Sequence, residues 1–346
     1  MKKTKKEKKS KKSLKIFFGV IVVLVLAYTV CALLPKQQNY TCDNPLLKGE
    51  GELPDLIAHR GGDEEFPGNT LEAFYNAYSI NPDVIMETDV NITKDGVLIL
   101  LHNTQLDRTT NVTGLASDWN YTDLVAQRVD FGYENPTSDG WLDGEREHFN
   151  VDGVNKYPTD VAYPDGVSPR DDEVFLVTTL EELIVAFPNS RISVEIKQDG
   201  ELGLKAVKEA VRILTKHDAF DRVNLASTHT EIYDEYQRMA KAGEVPETFM
   251  YSPGLMGVAK FYALHILGLD SLFFDGIAVL QIPDEQYGLN FATAELIKTA
   301  HEHNVAVQYW TINDEEDMRF LISIGADGIM TDCPSKLQAI YDEMSK

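Results

Sequence analysis

From Leu56 onward the chain alternates short apolar runs with longer segments that carry apolar residues at helical spacing, and this alternation constrains the fold more than any other feature. The runs are Leu56–His59, Val84–Asp89, Ile192–Ile196, Val223–Ser227, Thr248–Ser252, Gly276–Leu280, Val305–Trp310 and Gly328–Thr331. Between them, Leu204–Leu214, Tyr233–Ala242, Ala292–His303 and Glu315–Ile324 read as amphipathic helices. Strand–helix–strand repetition builds parallel sheets, because parallel neighbours need a crossover of a dozen or so residues. Eight such strands are the number that closes a (β/α)8 TIM barrel, a fold whose active sites sit at the C-terminal ends of the strands.

A ninth run, Val97–His102, follows the second strand across a short link containing Asp95-Gly96. That link is too short for a parallel crossover, and Asp-Gly is a hairpin signal, so the run is expected to fold back on the second strand. It opens an insertion over about residues 97–177, after which Thr178-Thr179-Leu180-Glu181-Glu182-Leu183 starts a capped helix. The middle of the insertion, 130–172, is rich in Gly, Pro, Asp and aromatic residues and is placed to form a lid or recognition surface.

The N-terminus has a different character. Residues 1–15 hold nine lysines and one glutamate, so a segment of +8 precedes a remainder of -31. The uncharged run Ile16 to Leu34 spans roughly 28 Å as a helix, just enough to cross a bilayer core. The expected organisation is a basic cytoplasmic tail (1–15), a transmembrane signal anchor (16–35), an aperiodic stalk (36–54) and an extracellular barrel (55–346). No small-x-small cleavage site follows the apolar run. The acidic remainder argues against nucleic-acid binding, which needs a basic footprint. Cys42 and Cys333 could pair outside the membrane, but one lies in the stalk and the other in the last barrel motif, so a fold held by its core is expected.

The chemistry-bearing residues cluster at strand ends. Glu87 and Asp89, two apart on one strand, point to the same face, and Glu195 at another strand end can join them across the barrel mouth. Three carboxylates make an oxygen-only site suited to Ca2+ or Mg2+ rather than zinc. His59 and His102 each close an apolar strand, and an unperturbed imidazole titrates near neutrality. Lys197 faces the same cavity as Glu195 and suits a phosphate, and Arg60 suits either a phosphate contact or a structural salt bridge. Trp310 ends a strand, which fits packing on a bound substrate or packing in the core.

These residues stand in motifs: His59-Arg60-Gly61, Pro67 with Asn69-Thr70, Glu87-x-Asp89, Thr93-Lys94-Asp95-Gly96, His102, and Leu106-x-Arg108-Thr109-Thr110. Glu195-Ile196-Lys197, Trp310-Thr311-Ile312-Asn313 and Gly328-Ile329-Met330-Thr331-Asp332 follow. In this order, over roughly residues 55–340, they resemble the glycerophosphodiester phosphodiesterase family. The resemblance implies a TIM-barrel enzyme that uses Glu87, Asp89 and Glu195 as ligands of a divalent metal, and His59 and His102 as a general acid/base pair, in either order. It implies hydrolysis of a glycerophosphodiester to glycerol 3-phosphate and an alcohol. Substrates at an outer membrane face would include deacylated phospholipid headgroups, lysophospholipids and teichoic-acid-like polymers.

Two positions depart from the family pattern. Gly68 stands where the family usually has glutamate, and Asn103 where it tends to have aspartate. They lend support to an alternative, a non-catalytic binder of glycerol-phosphate polymer. A phospholipase D-like enzyme that forms a cyclic phosphate would use the same two histidines and metal.

Overall fold

The eight expected strands form and pair in parallel: β1 (Asp55–Ala58), β2 (Ile85–Ile92), β3 (Ile192–Ile196), β4 (Val223–Ala226), β5 (Met250–Tyr251), β6 (Val279–Ile282), β7 (Ala306–Tyr309) and β8 (Gly328–Thr331). This computed structural model describes residues 2–134 and 146–345. Each strand pairs with the next in sequence from β1 to β5 and from β6 to β8, and β1 also pairs with β8. The remaining seam is bridged where the Ala278 N–H donates to the Tyr251 carbonyl at 3.2 Å, which closes the ring. The strand Leu98–Leu100 folds back antiparallel on β2, with Val90 opposite Leu100 and Ile92 opposite Leu98, around a turn in which Gly96 has φ +85°. The hairpin signal in Asp95-Gly96 is therefore expressed as expected.

Inward-facing residues alternate along each strand and so stack in layers. At the floor lie Ile57, Ile85, Val279, Ala306 and Met330. Above them is a polar layer in which Gln281 donates to Ser193 Oγ (2.9 Å) and to Gln308 Oε1 (3.1 Å), while Asn224 donates to Ser193 Oγ (3.2 Å). The same alternation carries β2 upward from Ile85 to Glu87 and Asp89, and β3 from Ser193 to Glu195.

The stretch 36–54 does not behave as a free stalk. It crosses the barrel floor, with Tyr40 and Leu46 buried in the floor cluster. Side-chain amides satisfy its irregular backbone: Asn304 donates to the carbonyls of Tyr40 and Cys42, and Asn44 donates to those of Ala278 and Asn304. An aperiodic segment shows no hydrophobic period, which is why the sequence pattern alone suggested a stalk. Cys31, Cys42 and Cys333 are all free; Cys42 donates to the Glu247 carbonyl at the floor, whereas Cys333 meets Glu64 just after β8.

Upstream, the helix Lys2–Ala32 contains an 18-residue apolar segment, Lys15–Ala32, long enough to cross a membrane. The insertion builds a second small core from Ile99, Leu106, Leu124, Phe131 and Phe175 against Phe66 and Ala73. Its neck is closed where the Phe131 N–H donates to the Phe175 carbonyl at 2.8 Å. Residues 135–145, within the stretch read as a lid or recognition surface, lie outside the described residues.

Arg170 pins this insertion to the barrel. Its guanidinium makes a paired contact with buried Glu72 on the helix Leu71–Ile80 (3.2 and 3.1 Å) and also donates to the carbonyls of Leu176 and Val177. Removing the cation strands a buried carboxylate, which costs more than removing both charges. Arg170→Leu is therefore expected to lower stability in chemical denaturation by about 3 kcal/mol. Arg170→Leu combined with Glu72→Leu should lose less than Arg170→Leu alone.

Candidate active site

The C-terminal end of β2 and the adjoining end of β3 deliver three carboxylates to one place: oxygens of Glu87, Asp89 and Glu195 lie within 4.8 Å of one another, with Glu87 and Asp89 buried. Two cations are set against them. Arg60 lies 3.2 Å from Asp89 through Nε and bonds Asp63 through Nη1 (2.8 Å), while Lys197 Nζ is 3.5 Å from Asp89 and 3.2 Å from Glu195. Burial and the neighbouring Asp89 push the Glu87 carboxyl above its ordinary range, and burial likewise raises Glu195. Burial acts on Asp89 in the same direction, but Lys197, Arg60 and the two histidines outweigh it and hold that carboxyl low.

The loop after β1 is shaped to serve these groups. Arg60 takes a left-handed conformation (φ +54°), which turns its N–H onto Glu87 Oε2 at 3.0 Å. Gly61 (φ +90°) lies so close to the helix Leu71–Ile80 that a Cβ would come within 2.8 Å of the Ala73 Cβ. Asn69, also left-handed, accepts from the Asp89 N–H and the Thr88 hydroxyl through Oδ1, and donates through Nδ2 to Asp89 Oδ2 at 3.0 Å. It thereby fixes which way the Asp89 carboxylate points.

The two histidines have unlike partners. His59 Nδ1 contacts Asp332 Oδ1 at 2.5 Å, and Asp332 is held by Asn313, which donates to its Oδ2 (2.7 Å) and accepts from its N–H (2.9 Å). That leaves His59 Nε2 facing Glu87 at 3.9 Å. Burial opposes a proton on His59, but the Asp332 contact and the charge of Glu87 prevail and raise its pKa. His102 instead has Nδ1 against the neutral amide oxygen of Asn103 (3.0 Å), an oxygen that also accepts from Arg108. Burial pushes His102 down to about 4, with Arg60 and Lys197 adding to the effect against the pull of Asp89. Asn91 on β2 donates to the Leu101 and Asn103 carbonyls (2.6 and 3.1 Å) and so anchors the end of the hairpin that carries His102.

His59, Arg60, Glu87, Asp89, His102, Glu195 and Lys197 thus converge at one mouth. Trp310 lies just beyond β7, partly exposed, with its N–H on the Ile282 carbonyl. The guanidinium of Arg60 is engaged by carboxylates. Asn69, Asn313 and Asp332 stood inside the quoted motifs without a role; side-chain partners so distant in sequence carry no periodic signal. The carboxylates fit a divalent cation because three acidic oxygens are brought together largely out of water, and buried Glu195 Oε1 has the Lys197 ammonium at 3.2 Å beside it but no hydrogen bond of good geometry. A hard cation with oxygen ligands suits that donor set.

The space left by Gly68 is filled. A Cβ there would lie 2.1 Å from Asp63 Oδ1, which already accepts from the Gly68 N–H at 3.0 Å while Oδ2 bonds Arg60. Asp63 therefore brings a carboxylate to the position where a side chain at residue 68 would begin. Gly68→Glu alone is expected to evict Asp63 and destabilise the protein, whereas Asp63→Gly with Gly68→Glu should recover most of the loss. A double-mutant cycle in thermal unfolding should give a coupling of about 1–3 kcal/mol.

The sequence profile of the Glycerophosphoryl diester phosphodiesterase family matches residues 59–336. A glycerophosphodiester phosphodiesterase of Caldanaerobacter subterraneus subsp. tengcongensis is 28% identical over 286 residues, covering 82% of this chain and 95% of that protein. Human Lysophospholipase D GDPD1 is 26% identical over 314 residues, covering 85% of this chain and 88% of that protein. Among solved structures, a phosphodiesterase of Oleispira antarctica in complex with the product sn-glycerol-3-phosphate has the same fold, with TM-score 0.57 at 21% identity over 84% of this chain and 97% of that one.

Proposed function

This chain belongs to the glycerophosphoryl diester phosphodiesterase family, and from that membership we propose that it hydrolyses glycerophosphodiesters to glycerol 3-phosphate and an alcohol, with a divalent metal and two histidines. The observation that carries this reading is the meeting, at one barrel mouth, of three adjacent acidic side chains and two imidazoles with unlike partners. The names of relatives extend the substrate class to lysophospholipids. The apolar segment Lys15–Ala32 supports an anchor, with the lysine-rich tail in the cytosol and the barrel outside. Teichoic-acid-like polymers then join the accessible substrates.

A phosphodiester resists attack because its anionic oxygens repel the nucleophile and its alkoxide is a poor leaving group. Glu87, Asp89 and Glu195 would hold Ca2+ or Mg2+, which when bound supplies Lewis-acid polarisation of the phosphoryl oxygens. Lys197 adds positive charge beside the phosphate, and Arg60 keeps Asp89 ionised. His102, neutral and with Nδ1–H given to Asn103, presents a free Nε2 lone pair that takes the proton of the attacking water. His59 has its Nδ1 engaged by Asp332 and carries a proton at Nε2, which it gives to the leaving oxygen. A carboxylate behind one imidazole and a neutral amide behind the other separate the acid from the base.

The full chain should release glycerol 3-phosphate from glycerophosphocholine with Ca2+ or Mg2+ and lose that activity in EDTA. His59→Ala and His102→Ala should each lower kcat by about 100-fold or more. No release with any metal would overturn the hydrolase reading and leave the polymer binder. A substrate that leaves as p-nitrophenolate needs no acid, so it should restore turnover to His59→Ala but not to His102→Ala; the opposite result would exchange the two roles. Asn103→Asp places a charge beside His102 and favours its protonated form. Because the base must be neutral, the acidic limb of kcat/KM should then move to higher pH by about 1 unit.

A further inference from the structure

One barrel helix exposes a largely apolar outer side. The helix Leu255–Leu267 turns Gly257 and Phe261 into the core, with Val258 and Leu264 packed partly against it. Its outer face is apolar as well: Leu255, Met256, Ala259, Ala263, Ile266 and Leu267 are all exposed, and Phe274 continues the patch beyond the helix. The outer face of the helix Gly200–His217 shows what water requires, with Glu201, Lys205, Lys208, Arg212 and Lys216 exposed. An outer helix face with this few polar groups normally meets another apolar surface or lipid. Lys260, the one charged residue on it, is neutralised by Asp275 and lies 5.1 Å from the Phe273 ring centroid.

What covers this face is indicated by its neighbour. The apolar segment Lys15–Ala32 ends against the same helix: the Tyr28 hydroxyl donates to the Leu267 carbonyl at 2.8 Å, and Ser271 Oγ donates to the Cys31 carbonyl at 2.9 Å. The exposed patch therefore starts where the candidate membrane span leaves the lipid, and from there follows the helix toward the mouth. A contiguous exposed apolar surface of this kind marks an interaction site.

We propose that the outer face of the helix Leu255–Leu267, from Met256 to Leu267, lies on the surface of the bilayer in which the N-terminal helix is anchored. The proposal rests on the anchor reading given above. The helix starts after the C-terminal end of β5 and returns to the floor end, so it is about 20 Å long and runs the height of the barrel. Contact along that length lays the barrel on its flank and brings the rim of the mouth to the lipid–water boundary. A single-chain phosphodiester lipid can then reach Glu87 and Asp89 with its headgroup while its tail stays near the membrane.

The test uses the full chain reconstituted in vesicles of phosphatidylglycerol and phosphatidylcholine, with and without acyl-brominated lipid. Met256→Trp, Ile266→Trp and Val185→Trp each add one indole at an exposed site, the last on a different flank. The added emission, taken as the difference from the parent chain, should be quenched at 256 and 266 and unchanged at 185. Alkaline extraction of the same vesicles reports whether the chain spans. Quenching at 266 alone overturns the flank contact and leaves a barrel tethered by its floor. A chain that resists extraction with neither site quenched overturns the contact while the anchor stands, and a chain that is extracted overturns both.

Discussion

The interaction on which the rest of this structure depends is the mutual repulsion of Glu87, Asp89 and Glu195, whose oxygens are held within 4.8 Å and largely out of water. Charges so placed are stable only if opposite charges are brought to them. Arg60 and Lys197 do part of this, but their cationic groups meet Asp89 and Glu195 rather than Glu87. Glu87 receives the Arg60 N–H and faces His59, and its raised carboxyl shows that this compensation is incomplete. The unusual local backbone follows from the same demand: left-handed Arg60 and Asn69 are the conformations that aim a peptide N–H at Glu87 and a side-chain amide at Asp89. Strain of this kind belongs where a site has been fixed for chemistry.

A second consequence is the inequality of the two imidazoles. Both are buried beside the same carboxylates, so the acidic cluster alone would favour protonating both. The distinction comes from behind: Asp332 supplies a full charge to His59, whereas Asn103 supplies a carbonyl dipole already shared with Arg108. Two titratable groups pushed apart by their surroundings are what paired acid and base catalysis needs.

Much of this was legible in the sequence, because it follows from period. Strand alternation fixed the inward direction of Glu87 and Asp89, and the short link at Asp95-Gly96 permitted only a hairpin, which delivered His102. The meeting of these side chains at one mouth was therefore readable. Its supports were not: Asp332 meets His59 across 273 residues, and Asn69 meets Asp89 across 20 through a turn whose handedness no periodicity reveals. Gly68 illustrates the limit most clearly. Read along the chain, it is a missing carboxylate; in space, Asp63 occupies the position from five residues upstream. The floor strap was hidden for a related reason, since Asn44 and Asn304 satisfy backbone groups that only the folded barrel brings near.

The strap also changes how the attachment of the barrel must be understood. A free linker of some nineteen residues would let a domain tumble at the end of its anchor. Here Tyr40 and Leu46 are part of the floor, Asn39 bonds the Phe273 carbonyl, and Lys36 is paired with Asp270. His303, buried, links the two by contacting the Gln37 carbonyl and Asp270. Fixed contact thus extends from the floor to within a few residues of the end of the apolar segment at Ala32, and Ser271 reaches Cys31 inside it. Rotation of the barrel about the N-terminal helix would have to break these polar contacts together with the burial of two large side chains. The orientation of the mouth is therefore built into the fold of residues 36–54, and the chain that looks like a tether by composition acts as a bracket by packing.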